Sequence, residues 1–344
     1  MTDDVNRQIL LASRPDGAPT PDNFSLVEGP LPEPGDGEFL CRIVYTSIDP
    51  YMRGRMSDAK SYAAPTAIGA VMGGGSVGQV VASRVDGFAA GDFVLTHNGW
   101  QEYAVNGPKG VRKLDPAAAP ISTALGVLGM PGMTAYAGLL EIGKPADGET
   151  LVVAAASGPV GGTVGQIAKI KGCRAVGVAG GAKKCAFVID ELGFDACVDH
   201  RAPDFPEQLA AACPDGIDVY FENVSGHVFD AVFPLLNPFA RIPVCGLIAR
   251  YNATEPPPGP DRLAMLFRDV LTKKLTIRGF IVTDFHAMQD DFLRDVGQWI
   301  GEGRIRYRED IVEGLENTPE AFIGLLGGTN FGKLLVRLAP DPTR

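Results

Sequence analysis

Hydrophobic and polar positions along this chain follow two textures. Between about residues 25 and 110, the short apolar runs EFLCRIVYTSI, VGQVVAS, GDFVLTH and QEYAVN are separated by Gly, Pro and Asp. That spacing predicts a β-rich, barrel-like domain. From Leu151 the apolar runs LVVAAA, RAVGVAGG, ACVDH, DVYFENV, RIPVCGLI and TIRGFIV take turns with helix-like stretches. These are KKCAFVIDELG, PEQLAAAC, HVFDAVFPLL, DRLAMLFRDVLTKK and Asp290 to Gly301. Strands alternating with helices predict an α/β fold built on a doubly wound parallel sheet. The final segment, IVEGLENTPEAFIGLLGGTNFGKLLVRL, has a helix and a strand of its own outside that alternation, so it is expected to return to the first domain. TEPPPGP, Thr254 to Pro260, reads as a loop, since its prolines suit neither a sheet nor a helix interior.

Candidate chemistry lies in AAASGPVGGTVGQIAKIKG, Ala154 to Gly172. Val160, Val164, Ile167 and Ala168 recur at helical spacing after the strand-like LVVAAA, so the glycines join a strand to a helix. Such a turn presents unpaired amides at the positive end of a helix, which suits a phosphate. Ala156, Gly158 and Gly161 form a variant of the dinucleotide fingerprint with alanine in place of the first glycine. Pro159 fits a first helical turn. Gly158, Pro159, Val160 and Gly161 are therefore candidate pyrophosphate contacts, although tight packing alone would give a similar pattern. The second strand ends VGVAGGAKKCAF, with two lysines, Lys183 and Lys184, where an NAD site usually has an acidic residue. A lysine there pairs with a 2′-phosphate, so NADP is expected over NAD. His200 and Arg201, after the third strand, could reach the same phosphate, stack near the adenine, or simply end a strand.

Length and composition narrow the picture. At 344 residues two domains are expected. A hydrophobic content of 45% with 21% charged residues is that of a globular protein. The net charge of -10 argues against nucleic acid or an anionic membrane as partner. No apolar run has the length of a membrane span, and MTDDVNRQIL has no signal-peptide pattern. Six single cysteines without a CxxC suggest neither a disulfide framework nor a zinc lobe, and the expected location is the cytoplasm.

GVLGMPGMTAYAGLLEIG, AASGPVGGTVGQIAKIKGC, YFENVSG, RIPVCGLIARYN, NFGKLLVRL and TSIDPYMRGRM together resemble the zinc-independent medium-chain dehydrogenase/reductases. Within them the likeness is to the leukotriene B4 dehydrogenase, prostaglandin reductase and 2-alkenal (curcumin-type) double-bond reductase branch, and it covers nearly the whole chain. The resemblance implies a GroES-like catalytic domain from residues 1–126 and 312–344, a Rossmann domain from 127–311, and an active cleft between them. It implies NADPH-dependent reduction of a carbon–carbon double bond conjugated to a carbonyl, with a small enone or enal as substrate. Relatives of this architecture are commonly dimers, so a homodimer is expected. Carried over by motif, Gly158 to Gly161 hold the pyrophosphate and Lys184 the 2′-phosphate. His200 stands where the family usually has a tyrosine near that phosphate. Asn223, the segment Cys245, Gly246, Leu247 to Tyr251, then Phe280, Ile281, Val282, and Asn330 line the cofactor. Gly73 sits where relatives often have arginine, a departure that bears on substrate preference.

A zinc enzyme of this fold needs a cysteine and a His-Glu pair in its first domain. This chain has no His-Glu pair, its only histidine before position 200 is His97, and Cys41 lies inside an apolar strand. No metal is expected. Hydride addition at the β-carbon pushes charge onto the carbonyl oxygen, which then needs a donor in a dry site. Tyr251, at the family position near nicotinamide and substrate, is the first candidate and Tyr51 the second; either could instead be structural. Arg53 is expected to pair with Asp49 rather than to attract an acidic substrate, and Met130 to pack beside the nicotinamide or in the core. An NADPH:quinone reductase and a non-catalytic NADPH sensor remain the alternative functions.

Overall fold

The computed structural model describes residues 5–256 and 261–343, so the end of the proline-rich TEPPPGP stretch lies outside the described residues. The chain divides into two compact units, one running to Gly126 and resuming at Glu309, the other Val127–Arg308.

The first unit opens with β1 (Val5–Leu11) and β2 (Phe24–Pro30), an antiparallel pair. The strands β3 (Phe39–Ser47), β4 (Ser76–Ser83), β5 (Phe93–Thr96), β6 (Tyr103–Asn106) and β7 (Arg112–Leu114) follow. A single helical turn, α1 (Met52–Arg55), comes after β3. β3 is buried at nearly every position, and it pairs with both β4 and β6. The expected β-rich texture is therefore present, and its cores are separate apolar clusters around Phe39, Tyr45 and Trp100.

The second unit starts with α2 (Met130–Ala137) and the first strand of a parallel sheet, β8 (Thr150–Ala154). It continues through α3 (Pro159–Ile170), β9 (Arg174–Ala179), α4 (Ala182–Asp190), β10 (Ala196–Asp199) and α5 (Phe205–Ala212). Then come β11 (Ile217–Phe221), α6 (His227–Val232), β12 (Leu236–Val244), α7 (Leu263–Lys273), β13 (Thr276–Gly279) and α8 (Gln289–Gly301). The sheet order is β10-β9-β8-β11-β12-β13, all parallel. All five residues of β8 are buried, as a strand covered on both faces requires. Val152, Val176, Val198, Tyr220 and Ile242 from the sheet meet Phe205 and Leu209 of α5 and Val228 and Val232 of α6. Each such side chain contributes roughly 1.5–3 kcal/mol on burial.

Several strands end short of their apolar runs, β13 at Gly279 of TIRGFIV and β11 at Phe221 of DVYFENV among them, and two elements differ for a visible reason. The helix over HVFDAVFPLL ends at Val232, because Pro234 closes it in a short 3₁₀ turn, Phe233–Leu235. β12 starts five residues before RIPVCGLI and carries an irregularity: its pairing to β11 jumps from Leu236 to Arg241, with Phe239 at φ 67°. After Arg308 the chain returns to the first unit as β14 (Glu309–Glu313), α9 (Thr318–Leu326) and β15 (Lys333–Arg337). β15 pairs with β14 and with β3, so the C-terminal segment is built into the first unit's sheet.

Candidate functional site

β8 lies between β9 and β11, so the connections leave it in opposite directions and a crevice forms at the carboxyl ends of β8 and β11. The turn after β8 is tight. Ala155 takes φ 55°, Gly158 N–H donates to the Ala155 carbonyl (3.0 Å), and Gly158 is the N-cap of α3. Pro159 occupies the first helical turn, and no side chain caps this end, which leaves the positive end of the helix to an anion. The turn passes so close that a Cβ at Gly161 would lie 2.4 Å from the Ala155 carbonyl oxygen; only glycine fits.

A second group gathers where β9 and β10 end. Lys184 sits in the first turn of α4, whose N-cap, Gly181, has φ 92° and no side-chain cap. Asp199 accepts from the N–H groups of Gly181 and Arg201 (both 2.9 Å) and so binds the two strand ends together. Burial opposes the charge on Asp199, but these bonds outweigh it and hold its carboxyl below the usual range. A Cβ at Gly180 would stand 3.0 Å from both His200 Nε2 and Arg201 Nε. Burial, then His227, Arg201 and Lys184, push the His200 imidazole below its ordinary range against the pull of Asp199. Cations thus converge on a helix amino end, where the dipole already disfavours them, and an anion such as a 2′-phosphate relieves both.

The third group follows β11 and β12. Asn223 donates to the Ala154 carbonyl (2.8 Å) and ties its loop to the end of β8. Glu222 is buried and accepts from Tyr220 Oη (3.0 Å), Val224 N–H (2.6 Å) and Ser225 N–H (2.8 Å). Burial raises its carboxyl above the usual range despite those bonds. Cys245 and Gly246 donate their N–H groups to the Glu222 carbonyl, and burial, with Glu222, pushes the Cys245 thiol up to about 12. Leu247 N–H donates to Tyr251 Oη (3.4 Å), and a Cβ at Gly246 would come within 3.1 Å of that hydroxyl. Gly246 therefore lies between Tyr251 and Asn223. Phe280 is buried against Phe221 and Phe285, so its ring is core, while Ile281 and Val282 stay half-buried beside it.

The first unit holds the other candidates. Tyr51 is half-buried just ahead of α1, and burial, then Asp49, raise its hydroxyl far above the usual tyrosine range. Asp49 is paired with Lys333 (2.7 Å) and receives the Ser47 hydroxyl, while Arg53 reaches the Gly17 carbonyl (2.7 Å). Asn330 donates to the Gly332 carbonyl (2.9 Å), and Gly73 is exposed with open space where a Cβ would project. Met130 opens α2, its carbonyl accepting from the Thr134 hydroxyl (2.7 Å).

Within the second unit the structure thus brings together the glycine turn, Asn223 and the Gly246–Tyr251 segment, and separately Lys184, His200 and Arg201. Sequence reasoning missed Glu222, His227 and Lys333. A carboxylate inside the apolar run DVYFENV was the one signal available for Glu222; the others depend on tertiary neighbours.

Comparison with known proteins places this arrangement. The family described as the N-terminal domain of oxidoreductase matches residues 7–114, and the zinc-binding dehydrogenase family matches residues 159–297. Among the described residues no group of three or more His, Cys, Asp or Glu could hold a metal ion. The chain is 58% identical over 337 residues to the NADPH-dependent curcumin reductase of Escherichia coli (strain K12), covering 98% of each. It is 38% identical over 343 residues to a 2-alkenal reductase (NADP(+)-dependent) of Nicotiana tabacum, again covering 98% of each. The crystal structure of CurA in complex with NADPH from Vibrio vulnificus superposes with a TM-score of 0.95 at 57% identity, covering 97% of this chain and 100% of that one. The chain belongs to the zinc-independent medium-chain dehydrogenase/reductases, in the branch of the prostaglandin and 2-alkenal reductases.

Proposed function

We propose that this protein is an NADPH-dependent reductase of the carbon–carbon double bond in α,β-unsaturated ketones and aldehydes. The observation that carries the cofactor half is the convergence of Lys184, Arg201 and His200 on the amino end of α4, next to an uncapped α3 at Gly158. Gly158 to Gly161 take the pyrophosphate and Lys184, with His200 nearby, the 2′-phosphate. Asn223, the Cys245 to Tyr251 segment, the backbone of Phe280 with Ile281 and Val282, and Asn330 line the remainder of the cofactor. When bound, NADPH supplies a hydride to the carbon β to the carbonyl.

The protein's own residues handle the charge that reaches the carbonyl oxygen. A neutral tyrosine hydroxyl can accept one hydrogen bond and donate another. Tyr251, which accepts from Leu247 N–H, donates to that oxygen, and Tyr51, kept protonated by burial and Asp49, is the second donor. Water then supplies the proton that the α-carbon gains as the enolate collapses. The high thiol of Cys245 keeps it un-ionised beside this chemistry.

Among the described residues no helix is long and apolar enough to cross a membrane. Free cysteines support a reducing, cytoplasmic location. A homodimer is supported by the end strand β13, with exposed Ile277, beside α7, on which Leu263, Met265, Phe267 and Leu271 are each more than half exposed. The test is NADPH oxidation, followed by the loss of nicotinamide absorbance, with curcumin, 2-hexenal, 4-hydroxynonenal and menadione. Turnover of enones and enals ahead of menadione supports the reading. Faster menadione reduction makes the protein a quinone reductase, and binding without oxidation of any carbonyl makes it a sensor.

A further inference from the structure

The corner at the end of β10 contains a pair of histidines whose hydrogen bonding fixes where their protons lie. His200 Nδ1 is 3.2 Å from His227 Nε2, with the ring centroids 5.2 Å apart. The same His227 Nε2 is 3.2 Å from the carbonyl oxygen of His200. A carbonyl only accepts, so His227 carries its proton on Nε2. His200 Nδ1 then faces a donor and is bare in the neutral pair, which puts the proton of neutral His200 on Nε2. That nitrogen is the one lying against Gly180, in the turn that leads to Lys184.

A further proton on His200 must enter at Nδ1, where it meets the N–H of His227. The groups facing His200 are His227 from α6, Lys184 from α4, and Arg201 and Asp199 from its own strand end; Asp199 alone favours the charge. Phe205 of α5 packs edge-on to the His227 ring and adds none. The proton can sit on His200 only if His227 moves its own from Nε2 to Nδ1, so that its bare Nε2 receives the new N–H. An incoming dianion supplies the reason for it to do so.

We propose that the His200–His227 pair makes the phosphate corner proton-linked: a bound 2′-phosphate draws one solvent proton onto His200 Nδ1, so preference for NADPH over NADH grows as pH falls. This rests on the 2′-phosphate reading above. Binding raises the proton affinity of His200, so the gain is complete below the free protein's titration and is lost as pH rises through that of the complex. Between those limits NADPH affinity falls by up to about tenfold per pH unit. The phosphate's own last proton, with a pKa of about 6, weakens binding below that pH whatever residue stands at 200.

Calorimetric titration of the intact protein with NADPH and with NADH, from about pH 6 to about pH 8, in buffers of low and high ionisation heat, counts the protons directly. Net uptake with NADPH, little with NADH, and an NADPH affinity that weakens with rising pH are expected. His200→Gln removes the slope. His227→Gln offers a carbonyl oxygen to a protonated Nδ1 and moves the profile to higher pH. A flat NADPH profile, or a slope that survives in His200→Gln, overturns the proposal while leaving NADPH preference in place. Equal affinity for NADPH and NADH at every pH overturns the 2′-phosphate reading with it.

Discussion

Lys184 stands at the amino end of α4, where a helix dipole disfavours a cation unless an anion is shared. Lys184→Ala is therefore expected to weaken NADPH by about 10- to 100-fold, the scale of one charge-assisted hydrogen bond, and NADH far less. Equal loss for both coenzymes, read by equilibrium titration, removes the phosphate from this corner. Tyr251 keeps its hydroxyl against the Gly246–Leu247 backbone. Tyr251→Phe should lower kcat by about 10²-fold with little change in NADPH affinity, as loss of one donor to a developing oxyanion does. Unchanged turnover would shift that role to Tyr51 or to the cofactor ribose. Individual residues were legible to different degrees. Gly161 announces itself because a backbone approach of that kind admits no side chain, and the missing acid singles out Lys184 as the proposed phosphate partner. His227 could not be read, since it is 27 positions from His200 and nothing local marks it as a partner.

Among elements, β15 shows how a distant strand completes a turn. Lys333 Nζ, buried, donates to Asp49 Oδ1 (2.7 Å) and to the Ile48 carbonyl (2.8 Å), fixing the turn that leads into Tyr51. Lys333→Met leaves Asp49 a buried charge without this partner and should cost about 3–5 kcal/mol, seen as a lower denaturation midpoint. Adding Asp49→Asn should recover part of that loss, because no unpaired charge is left behind. If the double variant is as unstable as the single one, the ion pair does not hold this turn. Asp49 also shows a partner that sequence proximity does not reveal: Lys333 arrives from the other end of the chain. The alternation of strands and helices was readable because the central parallel strands β8, β9 and β11 are mainly apolar. The irregularity in β12 was not, since Pro238 and the left-handed Phe239 disguise its first half as loop.

At the scale of the whole molecule, the proposed homodimer would bury the β13 edge and the exposed apolar side chains of α7. Light scattering on the eluting protein should give twice the chain mass, and Phe267→Glu with Leu271→Glu should return it to that of one chain. A monomer in the unmodified protein would refute this assembly. The strand order carries a consequence for evolution and engineering. Lys184, His200 and Arg201 hang from β9 and β10, on one wing of the sheet, whereas Asn223, the Cys245–Tyr251 segment and Phe280–Val282 hang from β11 to β13, on the other. Under the proposed assignment, mutations that retune coenzyme choice are expected on one wing and mutations that reshape the reducing end on the other, which lets a lineage exchange one trait while the other is held still.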